Sequence, residues 1–255
     1  MLPPGAIESF GLYLVRTSAI VLGSPLSGGA STVGSYKVAL IGSLAALSFW
    51  LVGSPVQPGY QPLDYGLWAL REVLIGVSLA FILQLTVMAV SVSGDLIGHE
   101  MAFATASVAD PVSGVNTPLV SRIYEILFLI GLLSVNGHHW LFRALIESYE
   151  RAPIASIEFN GSLSILMVQL FGELFAAGLT FAAPIIVLLM LVTILVGLLS
   201  RAVPQLNILE FSFSMRIVAG LGAMCLFAPF LVPAMEALLG HLMNGLDSGL
   251  DALEI

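Results

Sequence analysis

The sequence predicts an all-α, membrane-associated protein. Three observations lead there. Hydrophobic residues make up 58% of the 255 and charged residues 9%, with a mean hydropathy of +1.02. Ordinary soluble domains carry about 25% charged residues, so this composition cannot cover a water-facing surface. The apolar residues gather in six runs, 6–23, 38–53, 67–92, 123–146, 163–199 and 215–243, most of them close to the roughly 20 residues of a spanning helix. The linkers between them are short and show no periodic repeat, which argues for one domain.

The runs differ in character. The first is interrupted by Arg16 and the second is short. The fifth would extend roughly 55 Å at the helical rise of 1.5 Å per residue, well beyond a hydrocarbon core of about 30 Å. Either it projects past the bilayer or Pro184 kinks it. Pro204 should end it by Val203. Asn207, followed three residues on by Glu210, resembles a capping box and starts the sixth helix at Ile208. The stretch "GLLSRAVPQLNILEFSFSMRI" (197–217) is thus a tight polar turn between two long antiparallel helices. It either keeps that hairpin from sliding into lipid or presents a surface to a partner.

Lysines and arginines set the orientation. With the N-terminus outside, Lys37, Arg122, Arg201 and Arg216 fall at cytoplasmic loops. The segment 54–66 has no basic residue and falls outside with the acidic C-terminus. Arg143 and Arg151 are exceptions, neighboured by Glu147, Glu150 and Glu158. The net charge of −8 comes from few residues, among them Asp247, Asp251 and Glu254, and does not suggest a basic partner. No basic patch suits nucleic acid. The single Cys225 excludes an internal disulfide and is expected as a packed core thiol. "MLPPGAIESF" lacks the basic start of a cleavable signal peptide.

Patterns of chemistry are mostly missing. "GHEMAF" (98–103) begins like a zinc-protease motif, but Phe103 stands where the second His is needed. His138 and His139 are adjacent, so on a helix they diverge by about 100° and cannot face one metal. Asp95 follows Gly94, but Val92 breaks the glycine-rich aspartyl pattern. There is no phosphate-binding glycine loop. An enzyme, a cofactor and a metal are therefore not expected.

Two constellations stand out. The first spans 94–122. Gly94 and Gly98 are spaced for close helix packing in a membrane. Asp95, His99 and Glu100 follow the pattern of intramembrane ionisable groups that face protein or water. After them comes a small-residue stretch. Asp110 precedes Pro111 and is held extended. Ser113-Gly114 signals a turn, and Thr117-Pro118 an N-cap with its first helical residue. A non-helical loop thus separates two apolar helices. It is either an ordinary cytoplasmic loop or one buried in protein, where irregular backbone is tolerated at membrane depth. The second spans 136–154, where Arg143, Glu147 and Arg151 recur every four residues and can form an ion-pair ladder on one helix face. Trp140 suits an interface.

These stretches, "GDLIGHEM…DP", "NGHHWLFRAL.ES…P" and "GLLSRAVPQLNI…F", resemble the FliR family in order from about residue 90 to 220. That family is the export-gate membrane subunit of the flagellar type III secretion apparatus, and its injectisome relatives are called SctT. The resemblance implies a FliP-like part over about 1–160 and a FliQ-like helical hairpin over about 161–255. It implies assembly with FliP-like and FliQ-like subunits around a pore, partly above the membrane plane. That setting would account for Arg16, Asp95 and Glu173 within apolar runs. It places the loop with Thr105, Ala106, Asp110, Pro111, Ser113, Gly114 and Asn116 as a plug in the pore, near methionines given mainly by the FliP-like subunits. It sets the tip with Arg201, Pro204, Gln205, Asn207 and Glu210 beside an FlhB-like switch protein, with an FlhA-like component in the same machine. It implies unfolded flagellar proteins as cargo and the bacterial inner membrane at the basal body as location. The family's usual Gly-Phe-Pro is here Ser212-Phe213-Ser214, which leaves the sixth helix less interrupted. The rival readings are a small secondary transporter with Asp95, Glu100 and Glu173 as coupling carboxylates, which should show similar halves, and a purely structural scaffold.

Overall fold

The computed structural model describes residues 5–24, 34–53, 55–56, 59–101, 119–155, 162–202 and 208–251. Among the described residues there are seven helices and no strand: α1 (Ala6–Gly23), α2 (Gly34–Val52), α3 (Pro62–Glu100), α4 (Leu119–Ser134), α5 (Gly137–Arg151), α6 (Ser162–Ala202) and α7 (Ile208–Asp251). Five of them are long and apolar enough to cross a membrane, or six if α4 and α5 count as one bent span. With the composition, this makes the chain a membrane protein.

Several boundaries follow the apolar runs. The helix α1 matches its run residue for residue. Its start is set by Gly5, whose left-handed φ of 84° no helix continues through, and by Glu8 in the first turn, where the helix dipole favours an acid. The described part of α6 ends at Ala202 and α7 begins at Ile208; the expected helix end at Pro204 lies outside the described residues. The helix α6 runs unbroken over 41 residues with Pro184 inside it, roughly 60 Å long at 1.5 Å per residue. The run is thus one helix longer than a bilayer is thick, and Pro184 does not end it. The 44 residues of α7 likewise continue through Ser212, Pro229 and Pro233.

Two expectations need correction. The run 123–146 is two helices, bent by 72° at Asn136. Asn136 adopts φ 58°, a left-handed conformation that short polar side chains tolerate and branched ones do not. Apolar periodicity cannot register one such residue. Asn136→Val is therefore expected to lower thermal stability by about 1–2 kcal/mol, while Asn136→Gly should be tolerated. Thermal unfolding in detergent distinguishes the two. The helix α3 itself runs past the apolar residues through Gly94 and Gly98 to Glu100, in keeping with the helix-packing spacing of those glycines. Finally, Cys225 is exposed, not a core thiol. In a membrane chain an apolar run has an outer face, and on α7 Val218, Leu221 and Leu226 share that exposure.

The chain divides into two compact units. The first comprises Met1–Thr86, Leu132–Gly172 and Gly240–Ile255, the second Val87–Gly131 and Glu173–Leu239. In the first, α1 and α3 approach closely at Gly76, where a Cβ would lie 2.6 Å from Ala19 Cβ and 2.8 Å from the Arg16 carbonyl oxygen. The end of α7 packs on Ile82 through Gly245 and Gly249. In the second, α3 and α6 touch at Gly178, where a Cβ would fall 2.6 Å from the Ala89 carbonyl oxygen, and Ser93 donates to the Gly178 carbonyl at 2.7 Å.

Candidate functional site

The first candidate site is the foot of the segment between α3 and α4. Its loop residues Thr105, Ala106, Asp110, Pro111, Ser113, Gly114 and Asn116 lie outside the described residues, as do the expected cap Thr117 and Pro118. The two helices that carry the loop are described, and they are clamped together. Gly94 is buried, and the space a side chain would need there is filled by Ser121 Cα, with Ser121 N 2.8 Å from the position of a Cβ. One residue on, Asp95 accepts a hydrogen bond from the Ser121 hydroxyl. Gly98 is buried too. Met101 is fully buried and closes the last turn of α3 by donating its N–H to the Ile97 carbonyl at 2.9 Å. Its side chain sits against Gly220 of α7. Tyr124 and Phe181 meet edge-on at 5.5 Å between centroids and hold α4 to α6. A stem built this way fixes both ends of the intervening segment, whatever that segment does.

A second arrangement lies in the first unit. Arg16 and Glu72 have no exposed side-chain surface and pair at 2.5 Å. The Arg16 guanidinium also donates to the carbonyls of Ser148 at 2.6 Å and Ala152 at 2.8 Å, and lies 4.4 Å from the centre of the Tyr149 ring. The Ser148 carbonyl also accepts from the Ala152 N–H at 3.1 Å, so Arg16 adds a second donor there and ties the C-terminal end of α5 to α1. The Arg71 guanidinium stands 3.6 Å from the other Glu72 oxygen and donates to the Pro153 carbonyl at 3.1 Å. Sequence reasoning marked Arg16 as an interruption but missed Glu72, Arg71 and Ser148. The available signal was "RE" at 71–72, two charges placed inside an apolar run.

The ladder on α5 is present. Arg143 pairs with Glu147 at 3.5 Å, Glu147 with Arg151 at 2.6 Å, and Arg151 with Asp251 at the end of α7. At the hairpin, Arg201 and Glu210 are exposed at the facing ends of α6 and α7. Pro204, Gln205 and Asn207 between them lie outside the described residues. Of the three carboxylates raised for a transporter, Asp95 is bonded to Ser121 and Glu173 is exposed. No group of three or more His, Cys, Asp or Glu that could hold a metal occurs among the described residues.

Comparison with known proteins decides the family. The sequence matches the bacterial export proteins, family 1, over residues 7–242. It is 33% identical over 181 residues to the flagellar biosynthetic protein FliR of Escherichia coli (strain K12), covering 71% of this chain and 69% of the relative. The chain belongs to the FliR family. The FliR of Pectobacterium carotovorum is 32% identical over 180 residues, 70% of this chain and 69% of that one. The FliR of Bacillus subtilis (strain 168) is 27% identical over 212 residues, 82% of each chain. The match to the export family spans the α3–α4 stem, the buried arginine, α6 and most of α7.

Proposed function

We propose that this chain is the FliR-type subunit of a flagellar protein export gate, set in the bacterial inner membrane at the basal body. Family membership over nearly the whole chain carries this reading. The subunit shapes and closes a conduit for unfolded flagellar proteins, and the work of transport is done elsewhere in the machine. Its neighbours are FliP-like and FliQ-like subunits, an FlhB-like switch protein at the α6–α7 tip, and an FlhA-like component. The part up to about residue 160 corresponds to a FliP-like element and the remainder to a FliQ-like hairpin. Uncovered apolar faces fit a subunit role. Val187, Met190, Leu191, Ile194, Leu195 and Leu198 of α6 are each more than half exposed, and such patches mark contacts with protein or lipid.

In this reading the loop from Thr105 to Asn116 plugs the conduit, and the Gly94–Ser121 clamp keeps its stem in place. Small side chains such as Ala106 and Ser113 let a plug fill a narrow pore and move aside. Deleting 106–114 is expected to make membranes containing the assembled complex conduct small ions, while FliP-like and FliQ-like subunits still co-purify. Conductance of cells expressing the deletion with its partners is the measurement. An assembled complex as tight as wild type removes the plug role. Failure of the intact chain to capture those subunits from native membranes removes the gate reading itself.

A further inference from the structure

The two long helices of the hairpin carry prolines at similar distances from its tip. Pro184 lies inside α6, and Pro229 and Pro233 lie inside α7. At the helical rise, Pro184 is about 27 Å from the end of α6 at Ala202, and Pro229 about 32 Å from the start of α7 at Ile208. A proline inside a helix removes the hydrogen bond to the carbonyl four residues back, and long helices bend at such points. Both helices are thus weakest at about the same depth.

The contacts of the second unit change character at that depth. On the side away from the tip, the Gly178 carbonyl of α6 accepts from Ser93 of α3 at 2.7 Å, and Phe181 packs on Tyr124 of α4. Met235 of α7 lies there too, 3.5 Å from where a Cβ on Gly131 of α4 would be. On the tip side α7 is largely uncovered within the chain. Its apolar stretch within Glu210–Pro229 is 11% buried, against 61% for that of α3. The buried residues in this stretch are Gly220 and Ala223. Gly220 forms a notch for Met101, whose Cγ, Sδ and Cε would stand 2.5–2.7 Å from a Cβ there. Met101 is fully buried, and its thioether holds this joint by dispersion alone. One turn nearer the tip, on the same face of α7, the Arg216 Nε is buried and has no hydrogen-bond partner. Buried polar nitrogens are ordinarily paired, so covering this face carries a cost.

We infer that the tip half of the hairpin, residues 185–202 with 208–228, is a lever that bends at Pro184 and Pro229 and is latched to the end of α3 by Met101 in the Gly220 notch. Elements with little burial are the ones that open at low cost. A dispersion contact releases without stranding a polar group, whereas the Ser93–Gly178 and Asp95–Ser121 hydrogen bonds hold the body of the unit together. Release also lets the Arg216 Nε–H find a partner. Met101 closes the last turn of α3, so a pull on the tip reaches the foot of the loop between α3 and α4 through this one side chain. That consequence for export rests on the gate reading; the motion itself does not.

The motion is tested on the full chain in phospholipid vesicles, in a Cys225→Ser background, with spin labels at Ile126→Cys on α4 and Ser214→Cys on α7. Both positions are exposed, and pulsed electron resonance reads the distance between them. One latched distance should dominate. Met101→Ala and Gly220→Leu, which empty and block the notch, should each raise the share of a longer distance several-fold. Adding Pro184→Ala and Pro229→Ala to Met101→Ala should lower that share several-fold. Distances unchanged by Met101→Ala and by Gly220→Leu overturn the latch, and a longer distance indifferent to the prolines overturns the hinge. For the link to export, Met101→Cys with Gly220→Cys, again with Cys225→Ser, is oxidised in cells. Export of flagellar proteins should be lost and a reductant should restore it, with FliP-like and FliQ-like subunits still co-purifying. Export undiminished by the formed disulfide overturns the link. An unaltered chain that captures no such subunits would remove the gate reading instead, and the distances would still decide the lever.

Discussion

Arg16→Ala is expected to destabilise the first unit by about 3–5 kcal/mol, the usual cost of stripping one partner from a buried ion pair. The loss has three parts. The Glu72 carboxylate would keep only Arg71 at 3.6 Å. The Ser148 and Ala152 carbonyls would lose donors at 2.6 and 2.8 Å. The Tyr149 ring would lose the cation lying over it. Since Arg16 joins α1, α3 and the end of α5, the damage should spread over the unit. It should be visible as a lower melting temperature in detergent and as less protein in the membrane. Arg16→Lys should recover little, because one ammonium cannot serve a carboxylate and two separate carbonyls from the same position. Arg16→Met combined with Glu72→Leu should recover more than either single change, since an apolar replacement leaves no stranded charge. A single Arg16→Ala protein that melts like wild type would show that water reaches this pair.

Gly94→Leu should abolish normal packing of α3 on α4. The obstacle is the backbone of Ser121, which cannot rotate away as a side chain tip can. Overpacking ordinarily costs about 1–3 kcal/mol and more where backbone must shift, and separating the helices would also break the Asp95–Ser121 hydrogen bond. Gly94→Ala should show a lesser form of the same defect. Gly98→Leu, at the neighbouring buried position, should impair assembly as well. Gly66→Ala is the control, because a Cβ there meets nothing within 4 Å. Co-purification with FliP-like and FliQ-like subunits is the readout. Undiminished recovery of the Gly94→Leu subunit would mean that α3 and α4 do not need this contact.

The sequence by itself determined a good deal. Long apolar runs declare helices and a membrane setting because lipid leaves few other ways to satisfy backbone groups. The start of α7 at Ile208 was legible because Asn207 and Glu210 have the spacing of a capping box. The ladder of Arg143, Glu147 and Arg151 was legible because helical spacing alone makes those pairs meet. The family was legible from motifs in order. All of these are local, or nearly so. The tertiary structure decided the rest. It paired Arg16 with Glu72 across 56 positions and set Ser121 against Gly94. It bent the chain at Asn136 and left Cys225 outside. Each of these depends on which helix faces which, and on one backbone angle. Hydrophobic periodicity is blind to both, because in a chain this apolar every face of a helix looks fit to be buried, and only packing chooses among them.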